Sequence, residues 1–204
     1  VCEVLGLGCL GYDYRAFGNT AKSLEYNLKT NAVAERSKDP RLLSLGKLLL
    51  SMSYLDLGDY PKAIFYGLAS LEAAEKIEEN IFTIMGNQTL GEIYLKLNKV
   101  DSALIYTQKA YALCMKSGIK DYLGAVYGQL GTIHALMQNK TLAIGYFNLS
   151  LEEAVKINSP KYISISLYAI ADYYYKDKQR DSALLYSKKA IAAVQNTAFS
   201  TLSI

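Results

Sequence analysis

The sequence predicts an all-α chain built from repeated helical hairpins. Three observations carry that class. A 40-residue period runs along the chain, plainest in the column Tyr26, Tyr66, Tyr106, Tyr146 and Tyr186. Within each period the apolar residues recur at spacings of three and four, which is the stripe of an amphipathic helix and not the alternation of a strand. Only 3 prolines in 204 residues leave too little punctuation for the turns of an all-β fold.

Each unit begins with a first helix. Leu10, Leu50, Leu90, Leu130 and Ile170 precede the small column Gly11, Ser51, Gly91, Gly131 and Ala171, and three residues on stand Tyr14, Tyr54, Tyr94, His134 and Tyr174. A short turn follows at Gly18-Asn19, Gly58-Asp59, Asn98-Lys99, Gln138-Asn139 and Lys178-Gln179, where Gly or Asn can adopt the left-handed conformation that ends a helix. The second helix then carries Ser23, Ala63, Ala103, Ala143 and Ala183, the aliphatic column from Leu24 to Leu184, the tyrosine column, and Ala34, Ala74, Cys114, Ala154 and Val194. Pro61 in a first helical turn, and Asp101 and Asp181 near helix N-termini, suit those places. Asp39-Pro40, Glu79-Asn80, Lys116-Ser117-Gly118 and Asn158-Ser159-Pro160 separate the units.

The period therefore predicts five units, at about 1–40, 41–80, 81–120, 121–160 and 161–200, and about ten helices in a single array over 1–204. Gly91 or Gly131 opposite Ala103 or Ala143 lets paired backbones approach, and the tyrosine columns are expected to fill gaps between neighbouring hairpins. One unit cannot bury both faces, so the units must stack. The chain starts in first-helix phase and Ala198 to Ile204 reach the phase of a sixth unit, which predicts a piece of a longer protein with uncapped ends.

These columns resemble the tetratricopeptide repeat. Leu90-Gly91, Tyr94, Asn98, Ala103-Leu104, Tyr106 and Ala110 match its pattern in order, and Leu130-Gly131, Ala143-Ile144 and Tyr146-Phe147 follow nearly as well. The unit is longer than the family's usual 34 residues, a variant similar to arrays in bacterial signalling proteins and peptide-responsive regulators. The Trp that often opens the first helix is replaced by Leu7, Lys47, Asn87, Tyr127 and Leu167. The resemblance implies a right-handed superhelical solenoid whose first helices line a groove for a peptide or a protein partner.

By that resemblance the groove columns are Gly8, Leu48, Gln88, Gly128 and Tyr168, and Tyr12, Met52, Glu92, Thr132 and Asp172. Lys in the former and Asn in the latter would clamp a peptide carboxylate, and neither occurs. The expected groove has an apolar end at Leu48, Met52 and Leu55 and a more polar end at Gln88, Glu92, Gln129 and Asp172, with Tyr12, Tyr168 and Tyr175 as aromatic anchors.

Composition and motifs argue against catalysis. The sole histidine, His134, falls in a tyrosine column and reads as a packing substitute, leaving no base for a nucleophilic triad. One His and three scattered Cys do not make a metal site, and no cofactor is implied. Gly6, Gly8 and Gly11 have the G-x-G-x-x-G spacing but lie inside a predicted helix, without the strand that a dinucleotide fingerprint needs. Carboxylate pairs such as Glu152-Glu153 read as solvated faces. A net charge of +3 supplies little field for nucleic acid, and the basic residues around Lys176 to Lys189 are interspersed with Asp172, Asp177 and Asp181. No charge-free apolar stretch is long enough for a membrane helix. Gly8-Cys9 is a poor lipoprotein signal because Gly6 stands where that signal takes an aliphatic residue. Cys2, Cys9 and Cys114 read as unpaired thiols, which lean toward a reducing, cytoplasmic compartment, with a periplasmic one as the alternative.

The sequence thus points to a non-catalytic module that binds a protein or peptide, the sensing or docking region of a larger bacterial regulator. Two alternatives stand beside it. One is a phosphatase-like helical-repeat protein acting on response regulators through Gln88, Gln129, Glu92 or Asp172; the other is a homo-oligomer formed through uncapped ends.

Overall fold

A computed structural model describes residues 1–195 in full and the backbone of 196–200. The described residues form ten helices: α1 (Cys2–Ala16), α2 (Thr20–Ser37), α3 (Pro40–Asp56), α4 (Tyr60–Glu75), α5 (Asn80–Lys96), α6 (Val100–Ser117), α7 (Leu123–Leu136), α8 (Lys140–Lys156), α9 (Pro160–Lys176) and α10 (Arg180–Ser200). The sixth unit expected over Ala198 to Ile204 lies outside the fully described residues. Internal packing divides the chain into two compact units, Val1–Ile119 with three hairpins and Lys120–Ile204 with two.

The turns inside the hairpins divide the work between two residues. Gly18 and Gly58 take φ +74, which costs a glycine little, and the next residue caps the second helix. Asn19 accepts from the Lys22 backbone N–H at 3.1 Å and Asp59 from that of Lys62 at 3.2 Å. In the later hairpins Gln138 and Lys178, not a Gly or Asn, hold the left-handed conformation, at φ 60 and 62. Asn139 is instead the cap, accepting from the Leu142 N–H at 3.2 Å. Pro40, Pro61 and Pro160 all sit in a first helical turn, where their missing N–H leaves no bond unmade.

Hairpin follows hairpin through an apolar layer. In the first unit Leu55 and Ala63 of one hairpin pack with Leu90 and Ile93 of the next, and Leu90 and Ile93 are fully buried. Burying each such side chain contributes roughly 1.5–3 kcal/mol. In the second unit Ala143, Phe147, Ile170 and Tyr173 form the matching layer. Polar ties also join successive hairpins: the Asn27 amide of the first donates to Ser53 Oγ of the second at 2.8 Å, and Ser150 and Ser166 hydroxyls meet at 3.0 Å.

The tyrosine columns flank the layers between hairpins, where Tyr54, Tyr94 and Tyr106 pack against the first and Tyr174 and Tyr186 against the second. They also stack within hairpins. Tyr14 on Tyr26, Tyr54 on Tyr66, Tyr94 on Tyr106 and Tyr174 on Tyr186 have centroids 5.3–5.5 Å apart, because twelve residues of helix, turn and helix bring the two columns face to face. His134 takes the tyrosine place against Tyr146, at 5.4 Å and an interplanar angle of 7°.

Small residues allow close approach, to the expected alanine column where Ser51 Oγ donates to the Ala63 carbonyl at 2.8 Å, and to a second column as well. A Cβ on Gly131 would lie 2.6 Å from the Phe147 ring, and one on Gly11 would lie 2.0 Å from Asn27 Oδ1. Where the second helix carries the small residue, Gly67, the first helix carries Ser51. The crossing point keeps one small partner per hairpin.

Candidate functional site

In the first unit, α3 packs against both α1 and α5, so three successive first helices share a face. The repeat then brings together residues that the chain separates by about forty positions. Arg15 of α1 reaches Asp56 at the end of α3: Nε donates to Oδ2 at 2.5 Å and Nη2 to Oδ1 at 3.0 Å. Such a two-pronged fork is the strong form of an ion pair. Burial works to lower the Arg15 pKa, but its hydrogen bonds to Asp56 and the fields of Asp56 and Glu92 outweigh this, and the net direction is upward.

Glu92 of α5 sits half-buried beside that pair. Burial pushes its carboxyl pKa up; Arg15 and Lys96 pull it back, and Asp56 pushes it further up. Among the described residues it has no hydrogen-bond or ion-pair partner, and its links to Arg15 and Lys96 are through-space only. Tyr12, one turn before Arg15, is exposed, and Met52, in the same column as Tyr12 one repeat later, is half-buried. Gln88, one turn before Glu92, is half-buried as well.

The expected apolar end is not a surface. Leu48 is completely buried and Leu55 is 6% exposed. Leu55 lies beneath Leu90 and Ile93 of the following hairpin, and so belongs to the layer under the face. Of the three residues predicted there, Met52 alone reaches solvent in part.

The second unit gathers the others differently. Tyr168 and Tyr175 of α9 are 66% and 70% exposed and line an open cleft of about 570 Å³ with Asp172, Arg180, Leu184 and Ser187. Asp172 is occupied by Lys176, whose Nζ donates to it at 2.7 Å. Gln129 and Thr132, both half-buried on α7, do not line this cleft, and the Thr132 hydroxyl donates to the Gly128 carbonyl of its own helix at 3.0 Å. The basic cluster foreseen near α10 is neutralised at one member, since Lys176 pairs with Asp172, while Asp177 takes Lys140 from outside the cluster at 2.5 Å.

Sequence reasoning missed Arg15 and Asp56, and read Arg180 only as one of the basic residues between Lys176 and Lys189. Their signal lies in the columns: Arg15 is the lone cation among Leu55, Leu95, Ala135 and Tyr175, and Asp56 the lone acid among Ala16, Lys96, Leu136 and Lys176. Among the described residues no group of three or more His, Cys, Asp or Glu side chains could hold a metal ion, and no helix is long and apolar enough to cross a membrane. Cys2 and Cys9 are exposed, Cys114 is buried, and none is paired.

Comparison by sequence finds no protein family and no curated protein that matches. Comparison of folds is informative. The chain superposes on Podosopora anserina putative kinesin light chain TPR-like repeats with a TM-score of 0.63 at 14% identity, covering 95% of this chain and 96% of that one. The fold is that of a tetratricopeptide-repeat array. Other arrays with this tetratricopeptide-type architecture include aspartyl phosphate phosphatase F from Bacillus subtilis, with a TM-score of 0.72, 17% identity and 94% of this chain covered. A Rap protein complexed with competence and sporulation factor gives 0.72 at 14% identity, again over 94% of this chain. The chain spans 60% and 63% of the length of these last two proteins.

Proposed function

We propose that this chain is a non-catalytic tetratricopeptide-repeat module that binds a peptide or protein partner, within a larger bacterial regulatory protein. The observation that carries the reading is the polar face of the first unit. Arg15, Asp56 and Glu92 come from three successive first helices and meet where a partner lying across those helices would touch all three. A stacked array needs no charge at the Arg15 position, since Leu55, Leu95, Ala135 and Tyr175 serve in the same column. The Rap protein with its bound factor shows that a fold of this kind can hold such a ligand, and supports the reading by analogy of fold. Display of the source proteome as peptides against the immobilised chain tests it. Ligands whose binding is lost in Arg15→Ala and Glu92→Ala, but kept in a variant outside this face such as Gly145→Ala, are expected; absence of any such ligand rejects the reading.

A second reading follows from the phosphatase among the structural neighbours: this chain would shorten the lifetime of a response regulator's aspartyl phosphate. Gln88 and Glu92 in the first unit, or Gln129 and Asp172 in the second, would have to orient water. An unchanged phospho-aspartate lifetime on receiver domains from the same organism rejects it.

A further inference from the structure

We propose that the face of α1, α3 and α5 reads a cationic side chain of its peptide, with the arginine guanidinium or lysine ammonium group received by the Glu92 carboxylate beside the Arg15–Asp56 pair. This rests on the peptide-binding reading and names what the site selects.

The argument is one of unequal occupancy. Arg15 spends its fork on Asp56 through two hydrogen bonds, so neither group of that pair is left seeking an opposite charge. Glu92 is different. It is half-buried and carries no hydrogen bond, although its own helix offers Lys96 one turn later, the spacing at which helix ion pairs form. Lys96 is exposed and points its influence at Glu92 only through space. A carboxylate held out of water without a partner is the unfavourable arrangement, and a ligand cation relieves it. An anion finds the reverse: it would have to displace Asp56 from Arg15 and face Glu92.

The surroundings suit a long cationic side chain. Partly buried charges attract with little screening, so Glu92 acts strongly on a group that enters the face. Met52 supplies apolar surface for the methylene stem, and the exposed ring of Tyr12 can take the face of a guanidinium. The charged groups facing Glu92 are Arg15 from α1, Asp56 from α3 and Lys96 from its own helix. Only the ionised carboxylate accepts the cation, so selection weakens as acid neutralises Glu92.

The test uses the full chain and pooled nonapeptides with blocked termini, uncharged at every position but the central one. That residue is arginine in one pool and citrulline in its control, lysine in a second and acetyl-lysine in its control. At pH 7.5 the cationic pools are expected to bind about tenfold more tightly than their neutral controls, as a charge-assisted hydrogen bond implies. The preference is expected to vanish in Glu92→Gln and Glu92→Ala, to survive in Lys96→Gln, and to shrink in the wild type on acidification toward pH 5. Thermal unfolding checks that the Glu92 variants remain folded, and the wild-type pH profile stands without them. If all pools bind with no preference for the cation, or the preference persists without Glu92, this inference fails while the peptide reading survives. If no pool binds, both fail.

Discussion

Replacing Gly131 with alanine tests the hairpin crossing directly. The new Cβ would lie 2.6 and 2.7 Å from two carbons of the Phe147 ring and 3.0 Å from a third. Phe147 is 3% exposed and sits in the layer with Ile170 and Tyr173, so the ring has nowhere to retreat. Overpacking of this kind costs about 1–3 kcal/mol, while alanine in place of glycine in a helix returns roughly 1 kcal/mol. The net expectation is a loss of about 0–2 kcal/mol. Gly145 supplies the internal control, because it lies exposed in α8 with nothing within 4 Å of its added Cβ. Gly145→Ala should therefore stabilise by the propensity term, about 0.5–1 kcal/mol. Urea unfolding followed by circular dichroism measures both, read as a midpoint shift at constant slope. If Gly131→Ala proves as stabilising as Gly145→Ala, contact between glycine and ring does not set the spacing of that hairpin.

Other outcomes follow from the same structure. Leu90→Ala empties a fully buried site between two hairpins and should cost about 2–5 kcal/mol in the same unfolding measurement, a large share of it from the cavity left against Gly67. His134→Tyr restores the stacked tyrosine pair and removes a buried Nδ1 that has no hydrogen-bond partner, so the unfolding temperature should rise. Asp59→Ala removes the acceptor for the Lys62 N–H and should cost about 1 kcal/mol by urea titration. Glu92→Gln should be more stable than the wild type near neutral pH and equal to it at about pH 4. The folded-state carboxyl is raised above its unfolded value, so the folded protein holds a proton the unfolded chain releases, and stability falls as pH rises through that interval. A gap between the two proteins that widens toward acid would contradict this sign.

The period made the helices legible because each unit repeats the same local instructions. A small residue, a turn pair and an aliphatic stripe recur in register, and consistency across copies outweighs any single propensity. Which columns touch was harder to read. Tyr54 and Tyr66 are visible as columns, but periodicity identifies equivalent positions without saying whether they face each other inside a hairpin or the next hairpin along. The pairing of Gly131 with Phe147 had a readable trace in the inverse sizes at positions sixteen apart: Gly11 with Asn27, Ser51 with Gly67. The groove columns failed at Leu48 for a reason of reach. Leu48 and Tyr168 share a phase, yet the leucine is fully buried while the tyrosine is 66% exposed. A short apolar chain folds into the layer beneath, and a long amphipathic one extends past it.

The same logic separates function from architecture in the first unit. Positions that the array needs are filled interchangeably: Leu, Ile, Ala and Tyr recur, and a change in one copy is met by a change in its partner. Arg15 is the one charge in its column and Asp56 the one acid in its own, while Glu92 shares its column with a single other carboxylate, Asp172. Arg15 and Asp56 answer each other, which makes their presence self-consistent but still leaves two charges where aliphatic residues suffice. Glu92 is answered only through space, by Arg15 and Lys96, and by no hydrogen bond. Among carboxylates here, Glu25, Glu72, Asp59 and Asp177 are held below their usual pKa by lysine hydrogen bonds, whereas burial drives Glu92 the other way. Stability alone would have replaced it, as Gln88 or Thr132 show that neutral polar residues occupy neighbouring positions of this face. A carboxylate kept at a cost to the fold, beside a pair that orders its surroundings, is what a site selecting a positive charge requires.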